Sequence, residues 1–211
     1  MTGPAYPWLP RTWLLGSHGR PRRVVLECAE VEAPGTVAAQ HRAGRRAVGA
    51  ALRRAGSPVT AVGRGASGAP VCPDGFPASV THSADLAVAV VAPGAPGVGV
   101  DLEPRCPELR LHRFLLDDRE RADLWPEGEP LGLRRLFAAK EAAFKALTDC
   151  AGAHGGLFWR VRLYGHEGRL WARAGDRWAV VEEVETAAFS FALAVGTEPP
   201  SAPVRHRADL L

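Results

Sequence analysis

Two periods of apolar and polar residues run along this chain of 211 residues. RRVVLECAEV (residues 22–31) has the dense apolar run of a strand. TVAAQHRAGRRAVGAALRRA (36–55) has helical spacing despite Gly44 and Gly49. Val37, Ala47, Val48 and Ala51 are expected on one side of that helix, and Arg42, Arg45, Arg46 and Arg53 on the other. SPVTAV (57–62) reads as a short strand, followed by a Gly- and Pro-rich loop to Pro77. ASVTHSA and DLAVAVVA predict two apolar strands, and PGVGVDLEP a third. LRLHRFLLDDRERADLW is helical in pattern, and LGLRRLFAAKEAAFKALTD (131–149) is the most regular helical segment. The remainder, LFWRVRLYG, GRLWARAG, DRWAVVEEVE and AAFSFALAVG, predicts an antiparallel meander. The pattern is mixed α and β, and it divides near Pro93–Gly97 into halves of similar size.

Composition narrows the class. An apolar fraction of 46% and a charged fraction of 23% are those of an ordinary globular protein. No run of about 18 apolar residues occurs, so a spanning helix is excluded. The first twenty residues lack the basic cluster and apolar core of a signal peptide. Cys28, Cys72, Cys106 and Cys150 lie far apart with no CxxC pair, which argues against a structural zinc site and fits reduced cytoplasmic thiols. The net charge of +3 is unevenly spread: residues 1–75 carry +6 and the rest −3. A basic half joined to an acidic half suits an anionic ligand shared between cationic side chains and a carboxylate-held metal, although chance asymmetry explains it equally well. The chain has 24 Arg but only two Lys, Lys140 and Lys145, both in FAAKEAAFKAL. Retaining ammonium groups in so Arg-biased a chain points to a compact point charge at that place.

GRGASG (63–68) matches GxGxxG, but Pro70, Pro73 and Pro77 follow where a dinucleotide fold needs a helix. GxxxxGK[ST] and GxSxG are absent, and no two of the seven His have metal-binding helical spacing. In GVGVDLEP, strand alternation sets Val98, Val100 and Leu102 on one face. Asp101 and Glu103 fall on the other, roughly 6–7 Å apart. Two such acids repel unless a cation joins them, and oxygen ligands favour Mg²⁺ or Mn²⁺. A strand end with two solvated acids is the plain alternative. On the later helix, Phe137, Glu141 and Phe144 lie within roughly 60° of one another. Glu141 is therefore expected on the inward, apolar stripe, where it needs a cation. Lys145 at i+4 offers one, although surface pairs of this spacing are common. Three carboxylates, two lysines and an arginine stripe together point to metal-assisted chemistry on a diphosphate or polyphosphate.

AGRRAVGAALRRAG, GRGASGAPVCPDGFPASVTHS, GVGVDLE and LFAAKEAAFKAL occur in that order. Over roughly half of its length, from the first helix to about Leu147, the chain resembles the 4′-phosphopantetheinyl transferases of the surfactin and enterobactin type. GVGVDLE followed by F-x-x-K-E-x-x-x-K is the specific part. Cys72, where Trp is usual, and Ala78, where Gly often precedes Ser79, depart from the family pattern in the loop that shapes the nucleotide pocket.

The resemblance implies an α/β (α+β) fold of two similar subdomains, residues 1–96 and 97–211. Each is a small, mostly antiparallel sheet on a long helix, and the two are related by a pseudo-two-fold axis. It implies transfer of the phosphopantetheine arm of coenzyme A to a serine of an apo acyl or peptidyl carrier protein, of fatty-acid, polyketide, nonribosomal peptide or siderophore synthesis alike, releasing 3′,5′-ADP. Asp101, Glu103 and Glu141 would bind Mg²⁺ (or Mn²⁺), and Glu141 would act as base. Lys145 and Lys140 would neutralise the diphosphate. Arg45, Arg53, Arg64, Thr81 and His82 would hold the coenzyme. A monomeric cytoplasmic enzyme is expected, with neither nucleic acid nor membrane as partner. The competing readings are a silent coenzyme A-binding module of the same fold and a Mg²⁺-dependent diphosphate hydrolase.

Overall fold

The computed structural model describes residues 11–16, 21–65, 70–148 and 158–200. The first sheet has the order β1–β2–β6–β5, from β1 (Thr12–Leu15), β2 (Arg22–Glu30), β5 (Ala78–His82) and β6 (Leu86–Val91). The second has the order β7–β11–β10–β9–β8, from β7 (Val98–Glu103), β8 (Arg162–His166), β9 (Arg169–Ala174), β10 (Arg177–Glu185) and β11 (Ser190–Thr197). Every pairing in both is antiparallel. A two-stranded ribbon, β3 (Gly63–Arg64) with β4 (Pro70–Val71), stands apart.

Side-chain alternation assigns each sheet face. Leu26, Val88 and Val90 of the first sheet meet Val100, Leu102, Phe191 and Leu193 of the second in a core between the sheets. The opposite face of the first sheet, with Val25, Ala89 and Val91, is covered by α1 (Val37–Ala55) through Val48 and Leu52. The outer face of the second is covered by α4 (Pro130–Leu147) through Leu133, Leu136, Ala139 and Ala143. The layers are thus helix, sheet, sheet, helix. Between β7 and α4 lie a 3-10 turn (Leu109–Leu111) and two short helices, α2 (His112–Leu115) and α3 (Asp118–Leu124).

The sequence accounts for the helix ends. The Thr36 hydroxyl accepts from the Ala39 N–H (3.2 Å), and Gly56 closes α1 at φ 83° in the left-handed region. Pro130 sits at the start of α4, where its missing N–H costs nothing.

The approach of α4 to β7 positions the site. A Cβ on Gly99 would collide with the Ala142 carbonyl, and one on Gly97 with that of Ala146. Their neighbours on β11, Ala194 opposite Gly99 and Gly196 bonded to Gly97, are equally small and buried. This face therefore holds α4 almost against the strand backbone, and the carboxylates at the next two positions of the same face lie beside the helix.

Some expectations are corrected. Residues 57–62 form no strand: the Ser57 hydroxyl donates to the Val59 carbonyl (2.7 Å) in a local turn around Pro58. β1 is an element the sequence pattern does not predict: TWLL lacks a clear alternation, and its strand state comes from pairing with β2. Val37 is 66% exposed, because the first turn of α1 turns Ala39 instead toward Val31 and Ala87. Asp149 and Cys150 lie outside the described residues.

Candidate active site

β5 and β7, the facing edges of the two sheets, are stitched by side chains. The Ser79 hydroxyl accepts from the Val100 N–H (3.2 Å), and the Thr81 hydroxyl donates to Asp101 Oδ1 (3.2 Å). Lys145 reaches across from α4, giving Nζ–H bonds to Asp101 Oδ1 (2.6 Å) and the Val100 carbonyl (3.1 Å). Asp101 is 4% exposed, and its other oxygen, Oδ2, has no donor among the described residues. Such a buried, half-served carboxylate is costly unless a further cation or donor arrives.

Glu103 and Glu141 complete the cluster electrostatically. Burial pushes the Glu103 carboxyl up to about 7, reinforced by the Asp101 charge, a proton it can share with Asp101, and Glu141, with Lys145 opposing. Burial likewise raises Glu141, with Lys145 opposing and Asp101 reinforcing. Carboxylates that raise one another's proton affinity bind cations for the same reason. Glu141 does not lie on the deepest stripe of α4, as its spacing suggested. That stripe is Leu133, Leu136, Ala139, Ala143 and Ala146, and Glu141 occupies a half-buried flank with Phe137 and Phe144.

The cluster opens into a cleft of about 790 Å³ lined by Gln40, Thr81, His82, Asp101, Glu103, Arg105 and Lys145. His82 stands at its junction with a smaller groove lined by Arg45, Gly44, Val62 and Gly63. A Cβ on Gly44 would come within 2.6 Å of His82 Nε2, so glycine is what lets α1 settle onto the imidazole. That nitrogen is buried with no hydrogen-bond partner among the described residues. Burial lowers the pKa of His82, helped by His41 and Lys145.

The arginines of α1 divide into two groups. Arg42 and Arg46 bind Glu32 and Arg54 binds Glu27, whereas Arg45 and Arg53 show no hydrogen bond or ion pair among the described residues. Arg45 borders the groove. Arg64 is placed in β3 by its backbone, and its side chain lies outside what is described.

Lys140 is corrected as a coenzyme contact. Its side chain is 1% exposed and donates to Glu120 Oε2 (2.7 Å) and the Leu115 carbonyl (2.5 Å). Burial lowers its pKa, opposed chiefly by Glu120. Glu120 also accepts from the N–H groups of Asp117 (2.8 Å) and Leu163 (2.8 Å), so the pair knits α3 to α4 and β8. Glu120 went unnoticed in the sequence, although the Asp117–Glu120 spacing of a capping box marks it. Ser79 was missed too, with only its hydroxyl in an apolar strand to signal it.

Among the described residues, no three His, Cys, Asp or Glu side chains are already gathered as a metal cage. The donor set nevertheless fits a hard divalent cation, because all three groups offer oxygen and Asp101 Oδ2 is buried without a donor.

Two family models match successive parts of the chain. Residues 32–92 match the 4′-phosphopantetheinyl transferase N-terminal domain, and residues 97–169 match the 4′-phosphopantetheinyl transferase superfamily. The chain belongs to that superfamily. Among curated relatives of this transferase-family chain, enterobactin synthase component D of Salmonella typhimurium is 34% identical over 149 residues, 67% of this chain and 55% of that protein. The 4′-phosphopantetheinyl transferase Npt of Nocardia iowensis is 40% identical over 101 residues, 46% of this chain and 45% of that one. The chain thus spans about half the length of the curated relatives it matches. The crystal structure of Thermotoga maritima holo-[acyl-carrier-protein] synthase is similar at 26% identity, over 50% of this chain and 65% of that chain, with a TM-score of 0.41.

Proposed function

We propose that this chain transfers the 4′-phosphopantetheine arm of coenzyme A to a serine of an apo acyl or peptidyl carrier protein, with Mg²⁺ and with release of 3′,5′-ADP. The observation that carries the reading is the Asp101–Lys145 pair with Glu103 on the wall of a cleft between two sheets, and Glu141 close enough to act on their charges, in a chain of this superfamily. The relatives' printed names, enterobactin synthase component D and 4′-phosphopantetheinyl transferase, support the same chemistry.

Asp101, Glu103 and Glu141 would hold the cation, which supplies Lewis-acid charge to the diphosphate. Lys145, part-exposed at 29%, donates to Asp101 Oδ1 (2.6 Å) and offers its remaining ammonium protons toward the cleft. Glu141, its proton affinity raised by burial, takes the serine proton as the hydroxyl attacks the phosphorus that bears the pantetheine. Arg45, Arg53 and His82 face the negative charge of the remaining phosphates, and Thr81 fixes the Asp101 carboxylate. Positioning and fixed charge do most of the work in such a transfer. With both halves of one chain lining the cleft, we read the enzyme as a monomer, and as cytoplasmic.

Incubation with apo carrier protein, coenzyme A and Mg²⁺, followed by intact mass, tests the proposal. A gain of one phosphopantetheine is expected, and no gain on any acyl or peptidyl carrier would overturn it.

A further inference from the structure

The flank of α4 that presents Glu141 also carries Phe137, one turn before it, and Phe144, one turn after. Both rings meet Phe158, on the 3-10 turn Phe158–Arg160. Phe137 and Phe158 have centroids 6.1 Å apart at 66°, and Phe144 and Phe158 6.0 Å apart at 68°, two edge-to-face contacts. Phe137 and Phe144 are seven residues apart. One ring that touches both therefore bridges the stretch of helix that contains Glu141. All three rings are half-buried at the edge of the α4 core, and the adjacent Trp159 is 59% exposed. Phe144 packs on that core, and an apolar wall near a carboxylate also removes water that would solvate its charge.

We propose that Phe137, Phe144 and Phe158 form an apolar collar that keeps bulk water off the Glu141 carboxyl, and so decides that the diphosphate is cut by a delivered hydroxyl rather than by water. The inference rests on the transferase reading and concerns a choice of nucleophile that reading leaves open. In transfer, the serine oxygen bonds to the pantetheine-bearing phosphorus, the bond to the ADP oxygen breaks, and the serine proton passes to Glu141. In the side reaction, water takes the place of serine and loses its proton to the same carboxyl. The products are then 4′-phosphopantetheine and 3′,5′-ADP. Both routes release one 3′,5′-ADP, whereas only transfer makes holo carrier. The collar acts by excluding the smaller competitor.

The test is the ratio of 3′,5′-ADP released to holo carrier formed, with free 4′-phosphopantetheine measured by mass. This ratio does not depend on the folded fraction of enzyme. Wild type should give a ratio near unity. Phe158→Ser should raise it roughly tenfold, and Phe144→Ser should do the same in a second variant, while Phe158→Leu restores the wild-type ratio by refilling the wall. A wild-type ratio in both Ser variants would overturn the collar and leave the transferase reading standing. Absence of holo carrier from wild type would overturn the transferase reading itself.

Discussion

Two lysines five residues apart on α4 make two ion pairs with opposite lives. Lys140 and Glu120 are sealed, with side chains 1% and 2% exposed, and every partner they meet belongs to the protein. Lys145 and Asp101 are 29% and 6% exposed, and one Asp101 oxygen has no donor among the described residues. The first pair is satisfied and closed, so its consequence is mechanical: α3, α4 and β8 stay in register. The second is incomplete and opens on a cleft, so under the proposed function its consequence is chemical. Helical rotation makes the difference, since five residues turn the side chain by about 140°, from α3 to the edge of β7. Identical residue types thus serve separate ends, and burial together with unfilled bonding capacity tells them apart.

Breaking the open pair should have the largest effect on turnover. Asp101→Asn keeps the shape, removes the charge that anchors Lys145 and weakens any cation site. Transfer to carrier should fall by roughly 10²–10³-fold or more, while the thermal midpoint changes little. Glu141→Gln should match it. Near-normal rates in either variant, measured by holo-carrier formation, would show that the open pair is not the reacting centre.

Breaking the sealed pair should do the reverse. Lys140→Met leaves the Glu120 carboxylate buried beside Asp117 and Leu163 amides, at a cost of about 3–5 kcal/mol. Denaturant titration should show the loss. The rate per folded molecule should stay within a few-fold of wild type, because Lys140 does not reach the cleft. The double change Lys140→Met with Glu120→Gln should recover part of the stability, since no unpaired charge remains.

A third change tests what brings the open pair together. Gly99→Ala places a methyl against the Ala142 carbonyl, so α4 must lift from β7. Overpacking of this kind costs typically 1–3 kcal/mol. Moving Lys145 and Glu141 away from Asp101 should lower transfer by about tenfold or more, as displacement by about 1 Å costs up to 10²-fold in a positioned site. A stability loss without a rate loss would separate packing from positioning.

How far the two pairs could be foreseen follows from the range of the interactions that make them. Asp101, Glu103 and Glu141 were legible because strand and helix periods are local, and each put a carboxylate where an apolar neighbourhood made it conspicuous. Lys145 followed from its i+4 spacing to Glu141, although its actual partner proved to be Asp101, 44 positions away. Lys140 looked like a companion cation because adjacency in sequence says nothing about which wall a side chain meets. Its true partner, Glu120, lies 20 residues off in a segment with only a capping signal. The sheets were mostly legible from β2 and β5 to β11, where apolar runs are strong. β1 was not, because its strand state is imposed by the neighbour it pairs with.

The smallest expected effects come from the arginines of α1, and they ask whether unfilled bonding capacity marks function outside α4 too. Arg42 and Arg45 stand on one helix with the same charge. Arg42 is bound to Glu32, the two side chains being 50% and 60% exposed, so Arg42→Ala should cost less than about 0.5 kcal/mol and leave the coenzyme A KM unchanged. Arg45, which borders the groove beside His82 and has no partner among the described residues, should behave differently. Arg45→Ala should raise the KM for coenzyme A roughly tenfold with kcat little changed, since a phosphate contact made equally in ground and transition states is uniform binding. Steady-state kinetics on both variants decides the point. Equal KM values would confine the distinction between satisfied and unsatisfied ions to the two lysines, whereas a split would extend it to the first helix.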